Sequence, residues 1–171
     1  MVFEKEYVFR GKHADMVKRM VAKESDGIGR GFFETNYQIY LVAPLVGWAY
    51  QQRARVDKGA DNTTKVFPDK ITKHRQDLLF TYHTLMALYW KEKGLEKEEL
   101  VDMVFGLDDK DEERKECDAI YNSYVLGGVE ILYSKIFKEK DAIDIDGYVM
   151  NLYEFVEDLG VRLGSVTPEL G

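Results

Sequence analysis

Cysteine is almost missing from this chain, in which Cys117 is the only one among 171 residues. A single cysteine cannot form an internal disulfide, and it cannot belong to a cysteine cluster that holds a metal ion. Proteins without disulfide bonds are typical of reducing compartments. The sequence therefore predicts a cytoplasmic protein whose thiol stays reduced.

Proline and long apolar runs are scarce as well. The chain has three prolines, and a low proline content favours helices, whose interiors tolerate proline poorly. No segment reaches the roughly 20 apolar residues that a membrane-spanning helix requires. The first residues also lack the apolar run of a signal peptide. We therefore expect a helical protein that has no contact with a membrane.

Apolar residues, by contrast, make up 45% of the chain, and the aromatic ones include 11 Tyr, 9 Phe and 2 Trp. Such a chain can bury enough surface to offset the entropy lost on folding, which excludes intrinsic disorder. Its length is about that of one domain. We predict a single all-α domain over residues 1–171, with an extended N-terminal arm at 1–10 and a short C-terminal tail at 160–171.

Apolar residues recur at intervals of three and four along much of the sequence, which is the period of an amphipathic helix. The second of the predicted helices is apolar almost all round, so we expect a bundle of five or six helices around residues 36–55. Thr35 and Gln38 have the spacing of a capping box at its start, and Pro44 is expected to kink it. The predicted helices cover residues 12–23, 36–55, 69–93, 96–105, 108–138 and 148–159.

Two adjacent glycines, Gly127 and Gly128, lie in the interior of the longest predicted helix. Each glycine costs roughly 1 kcal/mol in a helix interior. The pair therefore indicates a place where another backbone approaches closely.

The first residues alternate with a period of two, which is typical of a strand. The alternation runs from Val2 to Phe9, and the nearest β-like segment runs from Thr63 to Phe67. A strand needs a partner to satisfy its backbone, so we expect a short two-stranded β ribbon of residues 2–9 with residues 63–67.

Charge is distributed unevenly along the chain, whose net charge is −7. Residues 1–75 carry 14 Lys and Arg against 9 Asp and Glu, whereas residues 76–171 carry 10 against 22. Segments of opposite sign that fold into separate patches can meet an anion on one face and a cationic partner on the other. Together with abundant Tyr, which is common at interfaces, this predicts a non-enzymatic helical interaction module. It would be a subunit or regulator of a larger assembly, including one that handles nucleic acid, with a protein partner or as a homo-oligomer.

The basic residues of the first half support an alternative, a protein that binds nucleic acid directly. Cationic side chains near helix ends, with aromatic rings between them, can follow a nucleic-acid backbone. The candidate contact residues are Lys12, Lys18, Arg19, Lys23, Arg30, Arg53 and Arg55.

A glycine-rich segment precedes the capping box and could bind a phosphate or a small ligand. Gly27, Gly29 and Gly31 leave backbone amides able to face an anion, and Arg30 offers a guanidinium fork. The segment lacks the Gly-Lys-Ser/Thr of a Walker A loop, and no strand leads into it as in a dinucleotide fingerprint. A flexible turn between two helices remains the alternative.

An acidic cluster opens the longest predicted helix. Such a surface could occupy a cationic groove meant for nucleic acid, as DNA-mimicking inhibitors do. Carboxylates also interact favourably with a helix N-terminus, which accounts for part of the cluster. Its members are Asp108, Asp109, Asp111, Glu112, Glu113 and Glu116.

No coherent catalytic set emerges from the other polar residues. His74 and Asp77 share a helix face, but His83 lies on the opposite side, so the two histidines lack the i,i+4 spacing of a metal pair. Cys117 lies between Glu116 and Asp118, whose charges raise the pKa of a thiol, the wrong direction for a nucleophile. We therefore expect no catalytic residue, no metal and no cofactor.

Overall fold

The computed structural model describes residues 3, 5–21, 32–59, 61–106, 110–137 and 145–164. Over these residues the chain is mostly helical and carries one small antiparallel sheet, which confirms the predicted fold class. No helix in this part of the chain is both long and apolar enough to cross a membrane. The elements in chain order are β1 (Tyr7–Arg10), α1 (Lys12–Val21), α2 (Asn36–Ala49), β2 (Thr63–Val66), α3 (Pro68–Lys73), α4 (Arg75–Glu92), α5 (Lys97–Phe105), α6 (Asp111–Ile136) and α7 (Ile145–Gly164).

Helix α2 lies at the centre of the bundle, as predicted. A helix without a polar face belongs in a core, and no residue of α2 is exposed, although Leu41, Val42 and Leu45 on one side are only partly buried. At its start the Gln38 side chain accepts a hydrogen bond from the Thr35 backbone N–H at 3.2 Å, as the capping box requires. The helix continues past Pro44 to Ala49. Its buried residues are Tyr37, Ile39, Tyr40, Ala43, Pro44, Val46, Gly47 and Trp48.

Helices α2 and α6 touch backbone to backbone through glycines. A Cβ placed on Gly128 would overlap the carbonyl of Ala43, and a Cβ on Gly47 would overlap the carbonyl of Tyr124. Gly127 meets the carbonyl of Gln52 in the same way. The expected close approach at the adjacent glycines is therefore confirmed, and it explains why residues so unfavourable in helices persist there.

The C-terminal end of α2 differs from the prediction of a helix to residue 55. Gln51 adopts a left-handed conformation with φ of 51°. Its N–H donates to the Trp48 carbonyl at 2.9 Å, and the Gln52 N–H donates to the Gly47 carbonyl at 2.8 Å. These two bonds form a Schellman motif, which ends a helix and usually has glycine at the left-handed position. Because glutamine rather than glycine occupies the left-handed position here, the sequence contained no signal for the end of α2.

Other boundaries also differ from those predicted. The predicted helix 69–93 is two helices, α3 and α4, which meet at His74. Pro68 begins α3 at the position where proline's missing N–H has no cost. Helix α7 is longer than the predicted 148–159 and includes the first residues of the predicted tail.

The predicted β ribbon is present, and its first strand, β1, begins later than the predicted residues 2–9, whereas β2 lies within the predicted residues 63–67. Tyr7 pairs with Val66 and Arg10 pairs with Thr63 in antiparallel register. Phe9 and Val66 are buried, and the Tyr7 ring stacks on Tyr40 of α2 at 4.3 Å between centroids. The ribbon therefore covers one end of the central helix.

Candidate interaction surface

Helix α7 carries two parallel rows of apolar side chains, of which only one is packed against the rest of the protein. The packed row includes Leu152, Phe155 and Leu159. The second row, called here the α7 stripe, is exposed and follows the first by one residue. At 100° per residue, its members lie within about 80° of one another around the helix axis. The α7 stripe consists of Val149, Tyr153, Val156 and Leu163, whose exposed fractions are 58, 57, 56 and 48%.

The orientation of α7 is fixed by contacts of its packed face with Tyr50. The rings of Phe155 and Tyr50 stack at 6.2 Å with an interplanar angle of 11°. Asp158 accepts hydrogen bonds from the Tyr50 hydroxyl at 2.7 Å and from Lys135 at 3.1 Å. The Arg162 guanidinium lies 4.1 Å from the centroid of the Tyr50 ring. Because these contacts hold one face inward, the α7 stripe points into solvent.

The pKa values of Asp158 and Tyr50 are shifted in the directions that favour their hydrogen bond. The hydrogen bond from Tyr50, followed by the one from Lys135, holds the pKa of Asp158 below its usual range. Burial, and then Asp158, raises the pKa of Tyr50 to about 12. Both groups therefore keep the protonation states that their hydrogen bond needs at neutral pH.

Carboxylates flank the α7 stripe on its solvent side. Asp146, Glu154 and Glu157 are exposed and fall on that side of the helix. Glu157 accepts a hydrogen bond at 2.6 Å from the hydroxyl of Tyr153, a member of the stripe. The one cation of α7, Arg162, is directed to Tyr50 and Asp158. The surface is thus apolar with an acidic border.

A groove between α2, α4 and the end of α7 adjoins the stripe. Its cavity volume is about 580 Å³, and Leu163 belongs to both the groove and the α7 stripe. Phe80 stands at the rim with 72% of its surface exposed. The apolar walls include Leu41, Leu45, Phe80, Leu88, Leu159 and Leu163.

The polar groups of the groove lie along α4. Asp77, Thr81 and Thr84 follow one another at i, i+4 and i+7, the spacing of a single helix face. The Tyr37 hydroxyl donates to Asp77 at 3.3 Å, and the His74 ring stacks on Tyr37 at 4.4 Å. Burial, followed by Asp77, raises the pKa of Tyr37 to about 12. Asp77 is thus held at one end of the groove as a hydrogen-bond acceptor.

Three of the predicted anion-binding residues form a row along α6, where each is engaged by that helix. Lys12 lies 2.7 Å from Glu130. Arg19 donates to the Tyr133 hydroxyl, and Arg53 donates to Ser123 at 2.7 Å.

The Lys12 contact joins the basic part of the chain to the acidic part, so the two signs of charge are not fully separated. Lys18 and Arg55 are exposed. Lys23 and Arg30 lie outside the described residues, as does the whole predicted phosphate loop of Gly27, Gly29, Arg30 and Gly31.

The acidic cluster is partly neutralised within its own helix. Asp111 pairs with Arg114, and Glu112 pairs with Lys115 at 2.7 Å. Glu113 and Glu116 are exposed. Asp108 and Asp109 lie outside the described residues.

A buried polar contact that the sequence did not indicate joins α1 to α6. His13 is fully buried, and its Nε2 lies 3.0 Å from Glu130, which also binds Lys12. Burial lowers the pKa of His13, with Glu130 opposing the effect. Burial alone would raise the pKa of Glu130, but the hydrogen bond and charge of Lys12 outweigh it, so that pKa is lowered. His13 is fully buried, so its contact with Glu130 joins α1 to α6 inside the fold.

The Cys117 thiol and the arrangement of possible metal ligands complete the description of the polar side chains. Cys117 is buried, and burial raises the pKa of its thiol, which keeps the sulfur protonated at neutral pH. Among the residues that the structure describes, no group of three or more His, Cys, Asp or Glu side chains could hold a metal ion.

The sequence held a readable signal for the α7 stripe. Val149, Tyr153 and Val156 repeat the four-three spacing of Tyr148, Leu152 and Phe155 one position later. Two apolar rows on one helix exceed what a single packed face needs.

Comparison with known proteins adds no relative. No family model matches the sequence, and neither a curated protein nor a solved structure matches the chain.

Proposed function

We propose that this protein is a non-enzymatic helical interaction module, a subunit or regulator that binds a partner protein through the α7 stripe. The observation that supports it is a row of four large apolar side chains exposed on a helix whose other face is firmly packed. Contiguous exposed apolar patches mark interaction sites, and helices bind partners through anchors at such spacings. We expect the protein to act in the cytoplasm.

The acidic border of the stripe indicates the chemistry of the partner. In an antiparallel two-fold contact along the stripe, the acidic borders of both copies would lie on the same side of the interface, so Asp146, Glu154 and Glu157 would approach carboxylates of the second copy. Like charges across an interface disfavour association, whereas opposite charges speed it and set its register. The partner is therefore a different protein, with an apolar surface bordered by Lys or Arg.

A matched pair of substitutions tests this function. Val156→Glu places a charge in the α7 stripe, and Val101→Glu places the same charge on α5, where Val101 is 52% exposed. Proteins captured by the wild type would be identified by mass spectrometry, and each complex would be rebuilt from purified components and weighed by light scattering after size exclusion. We expect a complex of defined stoichiometry that Val101→Glu retains and Val156→Glu loses. Both variants should unfold within about 0.5 kcal/mol of the wild type, because exposed positions contribute little to stability.

Two outcomes would contradict the proposal. One is a chain that remains strictly monomeric and forms no complex with any captured protein after purification. The other is a complex that tolerates Val156→Glu as well as it tolerates Val101→Glu. Nucleic-acid binding by the basic half, acidic mimicry of DNA and phosphate binding at Gly27–Gly31 stay as alternatives that no particular contact favours.

A further inference from the structure

The groove between α2, α4 and α7 has the dimensions of a small-molecule site. Its volume of about 580 Å³ lies within the range of roughly 300–1,000 Å³ that is typical of ligand pockets. From Asp77 to Leu88, α4 advances about 16 Å at 1.5 Å per residue. The space is thus long enough for an extended chain of about ten carbon atoms.

The walls of the groove are apolar and only partly covered. Leu41 and Leu45 of α2 face Leu88 of α4 and Leu159 of α7 across it, and none of these four is fully buried. Water beside such walls gains little from hydrogen bonding, so its release by an apolar molecule is favourable. An apolar occupant would also cover the exposed ring of Phe80.

The polar groups of the groove are confined to the α4 wall, and the charge that they contribute is the negative charge of a carboxylate. Among the described residues that line the groove, Asp77 is the one ionisable side chain, and Thr81 and Thr84 continue its row along α4. A carboxylate attracts a cation and repels an anion. A ligand that lies along the groove therefore meets a hydrogen-bond acceptor with negative charge at one end and hydrocarbon at the other.

The geometry points to a binding site for a long-chain amine, an elongated apolar molecule with a protonated amino group at one end. The amino group lies beside Asp77, and the chain extends along Leu45 and Leu88 toward the end of α7. This site adjoins the partner surface of the proposed function and shares Leu163 with it, but Val149, Tyr153 and Val156 do not line the groove.

Three probes of equal chain length test the assignment: decylammonium, decanol and decanoate. Isothermal titration calorimetry, at concentrations below those at which the probes form micelles, would give each affinity. We expect one molecule of decylammonium per protein, with weaker binding of decanol and the weakest binding of decanoate. Amide NMR shifts in the wild type should move at Leu41, Leu45 and Leu88, which places the probe without any substitution.

Substitutions then measure the contribution of the charge to the affinity separately from that of the cavity. Asp77→Asn should weaken decylammonium about threefold and leave decanol unchanged, which is the scale of an ion pair at a largely exposed carboxylate. Thr84→Phe fills the groove and should abolish binding of all three probes, whereas Thr72→Phe, at an exposed threonine of α3, should change none. Val156→Glu should also leave the probes bound, which distinguishes this site from the partner surface.

Several results would overturn the assignment. They are an absence of decylammonium binding, equal affinity for decanoate, or NMR shifts spread away from the groove.

Discussion

The two sides of α2 are packed in opposite ways. Toward α6, Ala43 and Gly47 approach so closely that Gly128 has no space for a single methyl group. Toward α4 and α7, Leu41 and Leu45 are only partly covered and border a cavity of about 580 Å³. One helix therefore supplies both a backbone-to-backbone contact and a wall of an open groove.

The difference shows how function can be separated from stability in a small helical protein. Interiors are packed as densely as organic crystals, and a well-packed contact tolerates no change in volume. A partly open face has fewer packing contacts to lose when a side chain changes. A ligand can also displace the water that lies against it. The face toward α6 is therefore expected to determine folding, and the face toward α4 and α7 to determine binding.

The largest expected effect comes from Gly128→Leu. The new side chain would meet the Ala43 carbonyl, which is backbone and cannot move aside without separating α2 from α6. Overpacking a core typically costs 1–3 kcal/mol and sometimes more, and here it removes the central helix contact. We expect the protein to lose its cooperative unfolding transition and its near-ultraviolet circular dichroism.

Gly160→Leu on α7 is the matched control for this substitution. A Cβ on Gly160 meets nothing within 4 Å, and leucine has a higher helix propensity than glycine by up to about 1 kcal/mol. This variant should be as stable as the wild type or slightly more so. A Gly128→Leu protein that unfolds at the urea midpoint of the wild type would refute the backbone contact.

Substitution of two leucines of α4 allows a direct comparison of the packing energy of the core with that of the groove. Leu85 is fully buried, whereas Leu88 lines the groove and is partly exposed. Leu85→Ala should lower the free energy of unfolding by about 2–5 kcal/mol, because truncation of a buried leucine leaves a cavity. Leu88→Ala should cost less than about 1.5 kcal/mol, because the groove is already open. Urea denaturation followed by circular dichroism measures both, and equal losses would mean that the groove is packed like the core.

Much of the fold could be predicted from local signals in the sequence. Apolar periodicity located the helices, the most apolar segment, Tyr37–Tyr50, indicated the central one, and Gly127 with Gly128 indicated where another backbone approaches. These features depend on residues near one another in the sequence. The end of α2 could not be predicted, because the Schellman motif places Gln51 where glycine is usual.

The site was harder to predict than the fold. The groove is formed by α2, α4 and α7, which lie far apart in the sequence, so no local pattern marks it. His13 was missed for the same reason, since Glu130 is 117 residues away. Charge counted along the chain did not show that Lys12 of the basic part would pair with this same Glu130.

The smallest of these effects is a pH dependence of stability that arises at the contact of α1 with α6. Burial lowers the pKa of His13 in the folded protein, whereas the unfolded chain protonates near pH 6.5. As pH falls below about 6.5, the unfolded state therefore takes up the proton first, and the stability that neutral His13 contributes is progressively lost. Glu130, whose pKa is also lowered, weakens the fold only as pH falls below the usual range of a glutamate, near 4.3.

Urea unfolding at pH 7 and pH 5 isolates the histidine contribution, and His13→Gln should reduce the difference between the two pH values. The amide of the substituted side chain can still donate to Glu130, so the helix contact is retained while the titrating group is removed. Burial also lowers the pKa of His83, which faces Phe105 of α5, so His83→Gln should reduce the difference independently and the double variant should have the flattest profile. If His13→Gln leaves the pH profile of the wild type intact, the pKa of His13 does not change on folding and burial does not hold the imidazole neutral. If His13→Gln instead enlarges the loss of stability between pH 7 and pH 5, the imidazole is protonated in the folded protein, and the α1–α6 contact is a salt bridge rather than a neutral hydrogen bond.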